Sequence, residues 1–246
     1  MKKLLIIPLL LIGFLTNAQT AREIIEKADE LTRGLSSQGE MTMQIVRPKW
    51  TREMSLKSWT MGTEYSLILI TAPAKEKGTV FLKREKEIWN WVPSIERTVK
   101  LPPSMMMQSW MGTDLTNDDL VKESSIVEDY THEIEKDTVI DGRECWKLIL
   151  TAKPDAPVVW GSINAFVDKQ NYIQMRSEFY DEDGFLVNVF TASDIKEMGG
   201  RTLAGRLEII PVDKEGHKTV IIQNDIQFNT GIEKDFFTTN QMKRLK

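Results

Sequence analysis

Cysteine and histidine are scarce in this sequence. Its 246 residues include one cysteine, Cys145, and two histidines, His132 and His217. A single cysteine cannot form an internal disulfide, so the stability of the fold must come from its core. The two histidines lie far apart and show no spacing typical of zinc ligands. We therefore expect no metal and no cofactor, and we expect Cys145 to be a buried, unreactive thiol.

Motifs of common enzymes are also missing. The sequence contains no glycine-rich phosphate loop and no Gly-x-Ser-x-Gly nucleophile motif. Asp114, Thr116 and Asp118 resemble the start of a calcium loop, but Asp119 stands where that loop needs glycine. The start of a helix with acidic residues in its first turn explains the same residues. We expect a protein that is not an enzyme.

Positive charge is in deficit. The chain has 32 lysine and arginine residues against 36 aspartate and glutamate residues, a net charge of −4. Nucleic acids and anionic membrane surfaces are bound by clustered lysine and arginine. The composition therefore argues against nucleic acid as a partner and against docking on an anionic membrane surface.

Long apolar runs are absent except at the amino terminus. Lys2 and Lys3 precede the apolar run Leu4–Leu15, and Ala18 ends a short segment of small or polar residues. This arrangement is typical of a secretory signal peptide. The run is shorter than the ~20 residues that a membrane-spanning helix needs. We predict a cleaved signal peptide over residues 1–18, export to the periplasm, and a single soluble domain over residues 19–246.

The mature part begins with one helix, and a long series of strands follows. Residues 20–23 form a capping box, in which a threonine and a glutamate satisfy each other's backbone amides at a helix start. The helix carries an apolar stripe formed by Ile24, Ala28, Leu31 and Leu35. From Met41 onward, alternating apolar residues are separated by turns such as Asp183-Gly184. The pattern predicts a mainly β protein with an antiparallel meander, sandwich or open barrel.

A middle segment interrupts the strand pattern. Pro102-Pro103 breaks the alternation, and a short helix is predicted from Ser104, with a second starting near Thr116. A stripe rich in methionine is more often ordinary core, although methionine adapts to apolar surfaces of varied shape. This stripe lies in an excursion between strands, and the strand predicted over residues 65–70 is apolar on both faces. This context favours a binding surface over ordinary core. We predict that two tryptophans of the preceding strand and four residues of the first helix line or cover a hydrophobic cavity: Trp89, Trp91, Met106, Met107, Trp110 and Met111.

The same middle segment carries a family resemblance. Residues 103–120, PSMMMQSWMGTDLTNDDL, resemble the hallmark stretch of the outer-membrane lipoprotein-sorting proteins of the LolA-like superfamily, and residues 88–93 and 97–101 are similar to the same group. The resemblance extends over the mature chain in the order of its elements. It implies a single antiparallel, unclosed β-barrel with an N-terminal helix and a helical lid over a hydrophobic cavity.

The resemblance also implies a function. Such a protein is expected to be a monomeric periplasmic carrier that binds the acyl chains of a lipoprotein or another lipid and transfers them toward the outer membrane. Its expected partners are an inner-membrane exporter and an outer-membrane acceptor. A second hypothesis is an envelope sensor or regulatory module that recognises lipid-modified proteins. Transfer of lipid between two membranes would distinguish the carrier from the sensor.

Overall fold

The computed structural model describes residues 19–117, 119, 125–154, 156 and 158–245. The predicted signal peptide, residues 1–18, and position 118 of the predicted second short helix lie outside these residues. Within the described part of the chain, no helix is both long enough and apolar enough to cross a membrane.

Strands make up most of the described chain. They are β1 (Ser36–Arg47), β2 (Trp50–Met61), β3 (Tyr65–Ala72), β4 (Val80–Arg84), β5 (Glu87–Val92), β6 (Arg97–Lys100), β7 (Tyr130–Ile140), β8 (Arg143–Ala152), β9 (Ser162–Asp168), β10 (Gln174–Tyr180), β11 (Leu186–Met198), β12 (Arg201–Pro211) and β13 (Lys218–Phe228). The helices among the described residues are α1 (Ala21–Arg33), α2 (Ser125–Glu128) and α3 (Thr239–Arg244).

All thirteen strands belong to one antiparallel sheet, in the order β6-β5-β4-β3-β2-β1-β13-β12-β11-β10-β9-β8-β7. Strands that follow one another along the chain pair with each other, except β6 and β7, and β1 pairs with β13 and so joins the two halves. Strands β6 and β7 are the two edges, and the sheet is not closed. The predicted fold class, a mainly β protein with an N-terminal helix on an unclosed antiparallel sheet, is confirmed.

Helix α1 begins where the capping box predicts. Thr20 accepts a hydrogen bond from the amide of Glu23, and the Glu23 carboxylate accepts one from the amide of Thr20. The helix buries Ile24 and Ile25 against strands β7 to β9. It ends before Gly34, whose φ of 65° is left-handed and easy for glycine. Leu35 was predicted to extend the apolar stripe, but it follows this turn and is exposed.

Cross-strand pairing shows that α1 and the middle segment lie on the same face of the sheet. Residues that pair directly across neighbouring strands point to one face. One such row passes across strands β8 to β13 and ends on β1: Leu148, Ala165, Ser177, Phe190, Ile209, Thr219 and Ile45. Leu148 and Ala165 pack against α1, whereas Ile45 packs in one cluster with Trp110. We call this side the inner face.

The opposite, outer face has its own cover. A second row of direct partners contains Trp59, Leu67, Leu82 and Trp89. The C-terminal segment, residues 232–245, packs on this row and on the adjacent Trp91, and it buries Phe237 and Met242 completely. The outer face of β2 to β5 is therefore closed by the end of the chain itself.

His132 lies on β7 beneath α2. Its Nε2 donates a hydrogen bond of 2.7 Å to the carbonyl oxygen of Ile126. Burial lowers the pKa of His132 from its ordinary value, and the positive charge of Arg22 lowers it further. The folded protein therefore takes up this proton less readily than the unfolded chain does.

We expect the free energy of unfolding to fall as the pH drops through about 6.5, the ordinary pKa of histidine, and to level off below the folded-state pKa. In His132→Gln that pH-dependent step should be lost. Urea denaturation at a series of pH values measures it, with His217→Gln as the control that keeps the step. An unchanged step in His132→Gln would assign it to another group.

Candidate functional site

The middle segment is not an α-helix where one was predicted. In place of the helix predicted from Ser104, the chain has two short 3-10 turns, Pro103–Met105 and Trp110–Gly112. Met111 and Gly112 are both left-handed, with φ of 53° and 77°, and the amide of Thr113 donates to the Trp110 carbonyl at 2.9 Å. Two consecutive left-handed residues are the requirement of a tight hairpin turn.

Hydrogen bonds across the segment confirm this hairpin. Ser109 and Thr116 form an isolated β-bridge, and the amide of Trp110 donates to the carbonyl of Leu115 at 2.8 Å. The amide of Asn117 donates to the Gln108 carbonyl at 2.9 Å. Residues 108–117, here called the insertion hairpin, therefore replace the predicted helix. Thr116 and Asp119 exchange hydrogen bonds of a helix-cap type, as the sequence predicted.

Trp110 is the part of the insertion hairpin that enters the sheet. Its side chain is 1% exposed and lies edge-on to Phe81, with 5.4 Å between ring centroids. It packs in one cluster with Met54 and Leu56 on the inner face, and Met111 lies partly buried against the same cluster. Trp110 thus fills the inner face over β1 to β4.

The six predicted cavity residues do not lie together. Trp89 and Trp91 are on the outer face under the C-terminal segment, whereas Trp110 and Met111 are on the inner face. Met106 is half-buried and Met107 is exposed. One wall of the sheet therefore cannot hold all six. Sequence alternation shows that residues share a face, but it does not show which face a distant segment will cover.

Polar contacts fasten the insertion hairpin to the sheet. Arg47 donates to the Asp114 carboxylate at 3.0 Å and to the Gly112 carbonyl at 2.9 Å. The hydroxyl of Thr219 donates to the same carboxylate at 2.7 Å, and the Asp114 amide donates to that hydroxyl at 2.9 Å. Arg47, Asp114 and Thr219 form what we call the latch. Arg52 adds a hydrogen bond to the Met111 carbonyl.

Between helix α1 and the insertion hairpin, the inner face carries an apolar strip that sequence reasoning missed. It crosses β10, β11, β12, β13 and β1, and each of its members is only partly covered. We call it the inner apolar band; it consists of Phe179, Phe190, Leu207, Ile221 and Met41.

The members of the inner apolar band lie on the same face of five neighbouring strands. The rings of Phe179 and Phe190 lie 4.5 Å apart between centroids. Leu207 pairs directly with Ile221 across β12 and β13 and is 38% exposed. Phe179 also packs against the α1 cluster, and Met41 and Ile221 pack against the Trp110 cluster. The band therefore runs from the cluster under α1 to the cluster around Trp110.

Alternation around β11 does not by itself indicate this band. One alternating set contains Phe185, Val187 and Val189, and the other contains Phe190 and Ala192. In the structure Phe185 is exposed, and the inner face is formed by Asn188, Phe190 and Ala192. Both alternating sets contain apolar residues, so pattern alone does not decide between them.

Groups suited to metal binding or nucleophilic chemistry do not cluster. Among the described residues, no three histidine, cysteine, aspartate or glutamate side chains are placed to hold a metal ion. Cys145 is fully buried in β8, as predicted, and its burial raises the pKa of the thiol. A raised pKa keeps the thiol protonated and therefore weakly nucleophilic.

Comparison with known proteins agrees with this architecture. A family model described as an uncharacterized protein matches residues 62–244. No curated protein matches the chain. Among solved structures, a DUF1329 family protein from Desulfovibrio piger has 22% identity and a TM-score of 0.81, over 90% of this chain and 97% of that chain.

Two further structures are similar over almost their whole length. A protein domain named for outer membrane lipoprotein sorting, from Vibrio parahaemolyticus, has 21% identity and a TM-score of 0.79, over 91% of this chain and 98% of that chain. A LolA superfamily protein from Nitrosomonas europaea has 23% identity and a TM-score of 0.76, over 91% of this chain and 100% of that chain. The chain belongs to the family whose model spans residues 62–244, and its fold is that of the LolA superfamily.

Proposed function

We propose that this protein is a periplasmic carrier that binds the acyl chains of a lipoprotein or another lipid and moves them toward the outer membrane. The inner apolar band is the observation on which the proposal rests. It is a strip of large apolar side chains that α1 and the insertion hairpin border but leave partly exposed. An apolar strip that stays partly exposed across neighbouring strands of a folded protein is typical of a binding surface.

The partial exposure of the side chains in the band suits reversible binding. Burial of an acyl chain contributes about 0.8 kcal/mol per methylene, or roughly 12 kcal/mol for a chain of about fifteen. A carrier must offset much of the cost of removing that chain from a membrane, yet it must also release the chain. A band of half-covered residues such as Phe190 and Leu207 can cover one side of the chain and leave the other side accessible to an acceptor.

The residues of the middle segment take different parts in this proposal. Met111, Met106 and Met107 are the side chains that we expect to touch cargo, because each keeps exposed surface. Trp110 anchors the insertion hairpin in the sheet and so positions them. Trp89 and Trp91 instead hold the C-terminal segment on the outer face. An inner-membrane exporter as donor and an outer-membrane acceptor complete the pathway that the family resemblance implies.

A charge in the middle of the band tests the proposal. We expect Leu207→Glu to weaken binding of a fluorescent fatty-acid probe at least about tenfold, because the carboxylate must lose water when the chain binds. Folding stability should change little, since Leu207 is 38% exposed. Fluorescence titration gives the affinity and urea denaturation gives the stability.

Val212→Glu is the matched control, because Val212 is 51% exposed and lies in the turn after β12, outside the band. Equal binding by Leu207→Glu and Val212→Glu would contradict the assignment of the band. Transfer of the probe between donor and acceptor vesicles separates the two hypotheses for function. A protein that binds the probe without accelerating its transfer would fit the envelope sensor and not the carrier.

A further inference from the structure

A cleft on the inner-face side of the sheet lies outside the inner apolar band. Its volume is about 530 Å³, which is within the range of small-molecule sites. One wall is the loop between β3 and β4, and the other contains Asn90 and Ser94 at the end of β5 and beyond it. Met111 of the insertion hairpin also lines the cleft.

The loop that forms the first wall is held in place by its own backbone. The amides of Glu76 and Lys77 both donate to the Pro73 carbonyl, at 3.1 and 3.0 Å. The amide of Gly78 donates to the Ile70 carbonyl at 2.9 Å. The wall is therefore preformed, and a ligand would not have to order it on binding.

Charge in the cleft is opposite in sign to that of the protein. Lys75 and Lys77 line it, and within the described part of the chain neither lysine forms an ion pair. Glu76 is the only acidic residue of the lining, and Arg52 pairs with it at 3.4 Å. The cleft thus has a local surplus of positive charge in a chain whose net charge is −4.

Hydrogen-bonding groups accompany this charge. Thr79 and Ser94, two residues that carry hydroxyl groups, are among the lining residues. The side-chain oxygen of Asn90 is buried and has no hydrogen-bond partner among the described residues. The same side chain carries an NH2 group, which can donate to an anion. The Nε of Arg52, which pairs with the lining residue Glu76, is also buried and lacks a hydrogen-bond partner in the part of the chain that the structure describes.

We propose that this cleft is a binding site for a phosphate group, with Lys75 and Lys77 as its counter-charges and Ser94, Thr79 and Asn90 as hydrogen-bond donors. The phosphate can belong to the head of a lipid or be free in solution. In the first case the site determines which cargo is accepted and rests on the proposed carrier function. Arg52 joins the cleft to the insertion hairpin, because it contacts both Glu76 and the Met111 carbonyl.

Two amphiphiles with the same acyl chain test the site. Palmitoyl-lysophosphatidylglycerol carries a phosphate and monopalmitoylglycerol does not. We expect the wild-type protein to bind the phosphate-bearing amphiphile at least about tenfold more tightly at low salt. Lys75→Ala/Lys77→Ala should lose this preference and keep its affinity for monopalmitoylglycerol. High salt should weaken the preference, because salt screens exposed charges.

Lys86→Ala/Lys214→Ala is the control, since it removes the same charge from two exposed turns elsewhere and should keep the preference. Inorganic phosphate, titrated alone and followed by NMR at the Asn90 side-chain amide, separates the two sources. Binding of inorganic phosphate that depends on the two lysines means that a free phosphate suffices. If the preference for the phosphate-bearing amphiphile depends on the two lysines but inorganic phosphate does not bind, the lipid head is required.

The outcomes for the cleft and for the carrier are distinguishable. Lysine-dependent binding of inorganic phosphate without binding of either amphiphile would overturn the carrier and leave the phosphate site standing. Binding of both amphiphiles with no preference, together with no binding of inorganic phosphate, would overturn the phosphate site and leave the carrier standing. An unchanged preference in Lys75→Ala/Lys77→Ala would also overturn the site.

Discussion

Trp110→Ala is expected to lower the free energy of unfolding by about 3–5 kcal/mol, the usual cost of removing a large aromatic side chain from a core. The indole is 1% exposed and packs against Phe81, Met54 and Leu56, so its removal leaves a cavity on the inner face. Equilibrium unfolding in urea, followed by far-UV circular dichroism, measures the loss.

Trp110→Phe is the matched variant. The Nε1 of Trp110 has no hydrogen-bond partner among the described residues, so the expected loss comes from packing and not from a broken hydrogen bond. Phenylalanine should therefore restore part of the stability, because its ring refills part of the cavity that alanine leaves. A Trp110→Ala variant as stable as wild type would show instead that the indole is a mobile cavity wall.

Breaking the latch is the second change for which we expect a large effect. The side chains of Arg47 and Asp114 are 11% and 6% exposed, so the pair is shielded from water. Asp114→Ala leaves the guanidinium without its carboxylate and removes the acceptor of the Thr219 hydroxyl. Loss of one partner of a buried pair costs about 3–5 kcal/mol. Urea denaturation again measures the change.

A double variant distinguishes the latch from simple packing. Arg47→Met/Asp114→Leu removes both charges, so it should cost less than the sum of the two single variants. Glu40→Ala is the surface control, because Glu40 pairs with Lys57 where both side chains are about half exposed; a change below about 1 kcal/mol is expected. Equal losses in Asp114→Ala and Glu40→Ala would contradict a structural latch.

The sequence predicted those parts of the fold that depend on local signals. The capping box located the start of α1, and alternation with glycine turns predicted one antiparallel sheet. The assignment of residues to the two faces of the sheet was predicted less well, because one extra residue in a strand moves the side chains that follow it to the opposite face. Val220, Ile222, Ile226 and Phe228 are separated by even numbers of positions, which would place them on one face of a regular strand. An irregularity near Met41 places Ile222 opposite Thr42 and Ile226 opposite Gly39, on different faces.

The candidate site was harder to predict for a related reason. The spacing of Met106, Met107, Trp110 and Met111 fits one face of a helix. In the structure the chain turns at Met111 and Gly112 instead, and the hairpin packs Trp110 and Met111 on the inner face without a helix. The inner apolar band collects residues from five strands, and only the pairing of those strands shows that they are neighbours. The cleft likewise combines a loop, a strand end and the insertion hairpin.

The seam between β1 and β13 imposes an order on folding. Its paired residues, from Ser37 with Phe228 to Val46 with Lys218, are about 170 to 190 positions apart, whereas the other strand pairs join neighbours along the chain. Closing so long a loop is entropically costly, so hairpins form first and the seam forms late. Until β13 arrives, Met43 and Ile45 lack a neighbouring strand on one side. A chain that emerges amino terminus first would therefore expose this edge longest, which makes it the point at which aggregation competes with folding.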